Sequence, residues 1–127
     1  MASNKTVIVT GASQGIGAAV VQAFLGRGYN VVATSRSISK AGFAPSPNLA
    51  LIDGDIGQAA TAVTVAQLAN SKFGSIDSLV NNAGVLIVKP FTDYTAEDFR
   101  SLVYQSGRLL LYHPTCRWAD AVTGHRR

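Results

Sequence analysis

The feature that most constrains the fold is a set of three spaced glycines between a short apolar run and a helix-like apolar pattern. The run Lys5–Thr10 is β-branched and does not alternate with polar residues, which is typical of a strand buried on both faces. Apolar residues at helical spacing follow the glycines and end at Gly28. The sequence therefore predicts a strand, a glycine-rich turn and a helix in direct succession.

The same alternation continues along the chain and predicts a parallel sheet with right-handed crossovers. We expect the fold to be one α/β layer structure. After the first strand and helix, the predicted elements are a strand (Tyr29–Arg36), a connector without a clear helix (Ser37–Asn48), a strand (Leu49–Asp53), an Ala-rich helix (Gly57–Gly74), a strand (Ile76–Asn81) and a helix (Thr95–Val103). A capping box of Thr95 and Asp98 begins the last helix.

Composition excludes several classes of protein. The 127 residues are 47% hydrophobic and 14% charged, which indicates one globular domain rather than a disordered chain. No apolar run approaches the roughly 20 residues of a membrane span, and the N-terminus has no secretory pattern. The single cysteine, Cys116, excludes an internal disulfide and a multi-cysteine metal site. A cytoplasmic location without membrane contact is expected.

The glycine spacing Gly11-x-x-x-Gly15-x-Gly17 points to a phosphate-bearing ligand. Glycine permits positive φ and a close approach of backbone to ligand. The free N–H groups and the dipole at the start of the next helix attract a pyrophosphate. A plain tight turn between strand and helix is the alternative, since a glycine-rich turn alone is a weak signal.

A second motif, Asn-Asn-Ala-Gly at Asn81–Gly84, ends the fourth predicted strand. Together with Thr10–Gly17 it resembles the short-chain dehydrogenase/reductase family, whose members have a Rossmann fold and bind NAD or NADP. The resemblance covers Lys5 to Val103, the N-terminal half of a usual member. It implies a Rossmann-like doubly wound parallel sheet with the strand order 3-2-1-4, here truncated. Residues 1–103 are thus expected to be an NAD(P)-binding half-domain.

The resemblance assigns cofactor-binding residues position by position. The residues expected around the pyrophosphate and nearby ribose are Gly11, Ser13, Gln14, Gly15, Ile16 and Gly17. Asp55 and Ile56 would contact the adenine, and Asn82, Ala83 and Gly84 would lie on the nicotinamide side. Asp55 could also be the N-cap of the following helix, and Asn81 is expected to connect neighbouring strands.

Cofactor choice depends on the end of the second strand, where an acidic residue would bind the ribose hydroxyls and repel a 2′-phosphate. The segment Ala33–Ser37 contains no acid, and Arg36 can pair with a 2′-phosphate through charge-assisted hydrogen bonds. Ser35 or Ser37 could assist. NADP is the expected cofactor and NAD is the alternative; an ordinary solvated loop arginine is the other interpretation of Arg36.

The family's general acid is a tyrosine with a lysine four residues later, and this pair is absent from the chain. At that spacing the four tyrosines are followed by Ala33, Asp98, Arg108 and Cys116. No catalytic residue is therefore assigned. The expected function is hydride transfer between nicotinamide and a carbonyl/alcohol pair in the full-length family, with this chain as a cofactor-binding portion without turnover. A non-catalytic dinucleotide-binding or interaction module is the alternative.

The last segment, residues 104–127, departs from the family pattern at Tyr104. It has four arginines against one aspartate, which could suggest nucleic acid, but no aromatic platform or recognition motif accompanies them. A one-nucleotide shift of register lets Tyr104–Thr115 encode the Asn-Leu-x-Gly-Phe-Phe pattern expected in this helix. We interpret 104–127 as a frameshift-derived tail, and we expect neither nucleic-acid binding nor a native-like homo-oligomer.

Overall fold

A four-stranded parallel sheet forms the centre of the computed structural model, which describes residues 4–84 and 87–107. The strands are β1 (Thr6–Thr10), β2 (Asn30–Ser35), β3 (Leu49–Asp53) and β4 (Ser78–Val80). Their order across the sheet is β3-β2-β1-β4, and each neighbouring pair is parallel. The predicted fold class and strand order are confirmed.

Within the described residues, three α-helices connect or follow the strands. They are α1 (Gly15–Gly26), α2 (Ala59–Phe73) and α3 (Ala96–Gly107). A 3₁₀ turn at Ile38–Lys40 lies in the connector where no helix was expected, and another spans Phe91–Asp93. None of the described helices has the length and apolar character needed to cross a membrane.

Two apolar layers, one on each face of the sheet, explain why β1 is an unbroken apolar run. Val7 and Val9 pack with Val21 of α1 on one face. Ile8, which points the opposite way, packs with Val65 and Ala69 of α2 on the other. Since side chains alternate between the two faces of a strand, both sets of β1 side chains must be apolar when both faces are covered.

The end of α1 is closed by a Schellman motif around Gly28. The N–H of Gly28 donates to Leu25 O at 3.0 Å, and the N–H of Tyr29 donates to Phe24 O at 3.1 Å. Gly28 has φ of +79°, which glycine adopts without strain. The rings of Phe24 and Tyr29 meet edge to face at 5.0 Å between centroids, which supplies the apolar contact that accompanies this motif.

The capping box at the start of α3 is present. The N–H of Asp98 donates to Thr95 Oγ1 at 3.1 Å, and the N–H of Thr95 donates to Asp98 Oδ2 at 2.8 Å. Lys89 forms an ion pair with the same carboxylate. Hydrogen bonds from Lys89 and from the backbone of Thr95 lower the pKa of Asp98 from 3.8 to about 2.

Several predicted boundaries differ from the observed ones. The fourth strand spans three residues, not six, because it pairs with β1 only from Ser78 to Val80. After Val80, the N–H groups of Asn82 and Ala83 donate to the side chain of Thr10. α3 continues past Val103 to Gly107. The rest of the tail, residues 108–127, and with it Cys116, lies outside the described residues.

Candidate functional site

A crevice of about 490 Å³ opens at the edge of the sheet where the carboxyl ends of the parallel strands meet. Ligands of open α/β sheets bind at this edge. Residues at the ends of the strands, or in the segments that follow them, line the crevice: Thr10, Gly11, Ser13, Gln14, Gly15, Ile16, Thr34, Ser35, Arg36, Ser37, Gly54, Asp55, Ile56, Asn82, Ala83 and Gly84. The fold thus brings the glycine-rich turn, the end of β2 and the Asn-Asn-Ala-Gly motif to one cavity.

Two of the three glycines are required by close packing of backbone on backbone. Gly11 has φ of +61°, and a Cβ there would lie 2.8 Å from the Cα of Ala83. A Cβ on Gly17 would lie 2.1 Å from the carbonyl oxygen of Gly11 and 2.6 Å from Asn82 Nδ2. The turn therefore packs directly against the segment after β4, and no larger residue fits at either position without displacing backbone.

The third glycine, Gly15, faces open space. It has φ of +58°, and a Cβ there would meet no atom within 4 Å. Gly15 is also the first residue of α1, whose N-cap residue, Gln14, is extended and provides no side-chain cap. No acidic residue lies in the first turn of α1. The helix thus presents uncapped N–H groups and its positive dipole end to the crevice, which suits an anionic ligand.

Thr10 joins the two motifs through its side chain. Its Oγ1 accepts hydrogen bonds from the N–H groups of Asn82 and Ala83, each at 3.1 Å, and donates to Val80 O at 3.5 Å. Thr10 is only 1% exposed. One buried hydroxyl therefore sets where the Asn-Asn-Ala-Gly segment leaves β4.

Asn82 forms a second link between the motifs. Its Nδ2 donates to the carbonyl oxygen of Gly11 at 3.0 Å. The connecting role that the sequence suggested for Asn81 therefore belongs to Asn82, while Asn81 is exposed. Adjacent asparagines point to opposite sides of an extended segment. The sequence alone does not show which of the two sides faces Gly11.

The loop after β2 forms the second wall of the crevice. Arg36 and Ser37 are exposed and line the cavity, and the N–H of Ser37 donates to Ser35 Oγ at 3.3 Å. Among the described lining residues, Arg36 is the one basic side chain and Asp55 the one acidic side chain. The part of the crevice beside β2 therefore suits an anionic group more than a cationic one.

Asp55 does not cap α2, contrary to one interpretation of the sequence. α2 begins at Ala59 with Gln58 in the N-cap position, three residues later than an Asp55 cap requires. The Asp55 carboxylate instead accepts from the N–H of Gly57 at 2.8 Å, which closes a tight turn. This turn fixes Asp55 and Ile56 on the crevice wall.

Eleven of the twelve residues predicted for the site line the crevice, and Gly17 lies behind it. The sequence did not single out Thr34 and Gly54. Thr34 Oγ1 donates to Ile52 O at 2.9 Å, and the N–H of Gly54 donates to Ser35 O at 2.9 Å. Thr34 lies near the end of β2, and Gly54 directly follows β3. Their positions at the ends of predicted strands were the signal in the sequence that could have identified them. The described residues contain no group of three potential metal ligands.

Comparison with known proteins agrees with this geometry. The family model for short chain dehydrogenase matches residues 5–106. The chain is 37% identical over 108 residues to L-fucose dehydrogenase of Rattus norvegicus, a match covering 82% of this chain and 40% of the relative.

Two solved structures show the same fold. A short-chain dehydrogenase/reductase from Brucella melitensis, described as a glucose/ribitol dehydrogenase, superposes with a TM-score of 0.74 at 30% identity, covering 83% of this chain and 47% of that one. A structure of ElxO with NADPH bound superposes with a TM-score of 0.76 at 27% identity, covering 94% and 50%.

These matches cover only part of each relative. The chain spans less than half the length of each of the first curated relatives it matches. The match nevertheless includes both motifs, the whole described sheet and the crevice between them. The chain belongs to the short-chain dehydrogenase family.

Proposed function

We propose that the described residues are the dinucleotide-binding part of an oxidoreductase of the short-chain dehydrogenase/reductase type, with NADP as the preferred cofactor. The observation that carries the proposal is the uncapped N-terminus of α1, which opens through Gly15 into the crevice. The crevice runs from there to Arg36 on one side and to Asn82–Gly84 on the other. The NADPH in the ElxO structure supports it as a precedent in a relative.

The pyrophosphate of the cofactor would lie against the glycine-rich turn. The N–H groups of Gly15, Ile16 and Gly17 occupy the first turn of α1, where no side chain of the N-cap competes for them. Ser13 and Gln14, which line the same wall, would add polar side chains. By resemblance to the family, the adenine would lie beside Asp55 and Ile56, and the nicotinamide would lie beside Asn82, Ala83 and Gly84.

The 2′-phosphate that distinguishes NADP from NAD would face Arg36. One or two charge-assisted hydrogen bonds from a guanidinium contribute roughly 1.5–3 kcal/mol each. Arg36 is exposed, so solvent and salt reduce the total to about 1–2 kcal/mol. Since about 1.4 kcal/mol corresponds to tenfold in affinity, NADP is expected to bind about ten-fold tighter than NAD.

The bound nicotinamide would supply the hydride for a carbonyl/alcohol interconversion in the full-length family. The 127 residues contain no tyrosine followed four residues later by lysine. This favours a second candidate, a dinucleotide-binding module without turnover of its own. An assay that detects cofactor binding together with reduction of a panel of ketones and aldehydes separates the two.

A further proposal concerns the boundary at residue 103 and the origin of residues 104–127. We propose that this segment derives from a change of reading frame between the codons for Val103 and Tyr104. The gene sequence around these codons tests it directly. A downstream frame that encodes Tyr-x-x-x-Lys supports the proposal, and its absence contradicts it.

The cofactor proposal is tested by titrating NADPH and NADH into the wild-type chain, Arg36→Ala and a control, Arg27→Ala. Arg27 is an exposed arginine at the opposite end of α1 from the crevice. Arg36→Ala should weaken NADPH binding about ten-fold and leave NADH nearly unchanged, and higher salt should narrow the wild-type preference. Equal losses for the two cofactors, or a wild type that prefers NADH, would show that Arg36 is only a solvated loop residue.

A further inference from the structure

The loop that carries Arg36 is tied back to the end of β3 by one carboxylate. Asp53, the last residue of β3, accepts two hydrogen bonds from Ser39. The N–H of Ser39 donates to Oδ1 at 2.9 Å, and its hydroxyl donates to Oδ2 at 2.6 Å. The second distance is in the range of charge-assisted O–H···O⁻ bonds, which are stronger than neutral ones.

The same loop is held at a second point, next to the hydrogen bonds between Ser39 and Asp53. The side chain of Ile38 is fully buried in the apolar layer that contains Val9 and Ala33. Before the loop, the carbonyl of Ser35 accepts from the N–H of Gly54 at 2.9 Å. The backbone is therefore held at Ser35 and again at Ile38 and Ser39.

Arg36 and Ser37 are the two residues between these fixed points, and both line the crevice. Their side chains are exposed, so packing around them does not set their positions. Their backbone is positioned by the anchors on either side. A loop that is ordered before the ligand arrives loses less affinity than one that must be ordered by the ligand.

We propose that Asp53 is a positioning residue for the 2′-phosphate subsite, and that it acts by holding the Arg36–Ser37 loop through Ser39. Asp53 itself does not line the crevice. The inference deepens the proposed function and rests on it, because it concerns the same phosphate that Arg36 would receive.

On charge alone, a carboxylate near an anion site is expected to weaken the binding of the anion. The hydroxyl of Ser39, followed by its backbone N–H, lowers the pKa of Asp53, so the group is ionised at neutral pH. If Asp53 acted only through its charge, neutralising it would strengthen the binding of a 2′-phosphate. If it acts by holding the loop, neutralising it weakens the same binding. The two roles therefore differ in sign.

The test compares Asp53→Asn, Ser39→Ala and the matched control Asp77→Asn in the full 127-residue chain. Asp77 also accepts a backbone N–H, from Thr6 at 2.8 Å, and a serine hydroxyl, from Ser75 at 2.9 Å, but at the other end of the sheet. NADP⁺ and NAD⁺ are titrated by calorimetry, and the melting temperature of each variant is recorded. Ser39→Ala keeps the charge of Asp53 and removes one bond of the tie, which guards against a folding defect in Asp53→Asn.

A loop that is correctly placed only about one tenth to one third of the time weakens apparent binding about 3- to 10-fold. We expect a loss of this size for NADP⁺ in both Asp53→Asn and Ser39→Ala, with NAD⁺ changed less than about two-fold. Asp77→Asn should leave the ratio of the two affinities unaltered. Tighter NADP⁺ binding in Asp53→Asn, equal losses for both cofactors, or no change in either variant would overturn the positioning role.

Failure of the proposed function has a separate signature. A wild-type chain without preference for NADP⁺, or a preference that survives Arg36→Ala, refutes the assignment of the phosphate subsite and this inference with it. A preference that is lost in Arg36→Ala and kept in both Asp53→Asn and Ser39→Ala overturns the role of Asp53 alone.

Discussion

Replacing Thr10 by valine removes one hydroxyl and leaves the shape of the side chain nearly unchanged. Two backbone donors, the N–H groups of Asn82 and Ala83, then lose their acceptor. An unsatisfied buried donor costs roughly 1–3 kcal/mol. Because both donors lie in half-buried residues that water can partly reach, we expect Thr10→Val to lower the free energy of unfolding by about 2–4 kcal/mol.

Two control variants isolate this effect. Thr34→Val also removes a buried threonine hydroxyl, but that hydroxyl donates a single bond, to Ile52 O. Its loss should cost about 1 kcal/mol. Thr10→Ser keeps the hydroxyl and removes one methyl group, which is also expected to cost about 1 kcal/mol.

Urea denaturation followed by far-UV circular dichroism gives the free energy of unfolding of each variant. Thr10→Val should be the least stable of the three variants. If it proves no less stable than Thr34→Val, the hydroxyl does not hold the two motifs together, and the link between β1 and the segment after β4 must have another origin.

Three further outcomes follow from the structure. Gly17→Ala should destabilise the chain by about 3 kcal/mol because its Cβ would collide with backbone. Gly15→Ala should destabilise it by only about 1–2 kcal/mol, because the alanine would have to adopt a positive φ. Urea denaturation measures the free energy of unfolding of both variants. The stability that Asp98 contributes is complete above about pH 4 and is lost as pH falls through its folded pKa of about 2, so the stability difference between wild type and Asp98→Asn should shrink between those values. The 127-residue chain should reduce ketones and aldehydes negligibly with NADPH, because general acid–base catalysis worth roughly 10²–10⁴ in rate lacks its Tyr-Lys pair; robust turnover that Gly15→Val abolishes would contradict this.

The strands and the glycine-rich turn were predictable because local and global requirements coincide there. Both faces of β1 are covered, so its residues are all apolar or β-branched and the period-2 pattern disappears. The turn must bring Gly11 and Gly17 into contact with other backbone, and only glycine permits it. At these positions, the residue types in the sequence agree with the packing in the fold.

The parts that were missed depend on single long-range contacts. The 3₁₀ turn at Ile38–Lys40 is anchored by one buried side chain and by a carboxylate 14 residues away, and neither produces a periodic pattern. Which of the two asparagines, Asn81 or Asn82, connects the motifs depends on which side of the chain faces Gly11. In the sequence, Asp55 fits an N-cap as well as a turn because a carboxylate can accept from a backbone N–H in either setting.

The central claim is that a dinucleotide binds along the crevice with its pyrophosphate at the start of α1. Backbone amide chemical shifts of the ¹⁵N-labelled chain, followed during a titration with NADP⁺, test this directly. The claim predicts the largest saturable shifts at the amides of Gly15–Gly17, with further shifts at Arg36–Ser37, Asp55–Ile56 and Asn82–Gly84. Saturable shifts that cluster elsewhere, or a spectrum unchanged by millimolar NADP⁺, would contradict it.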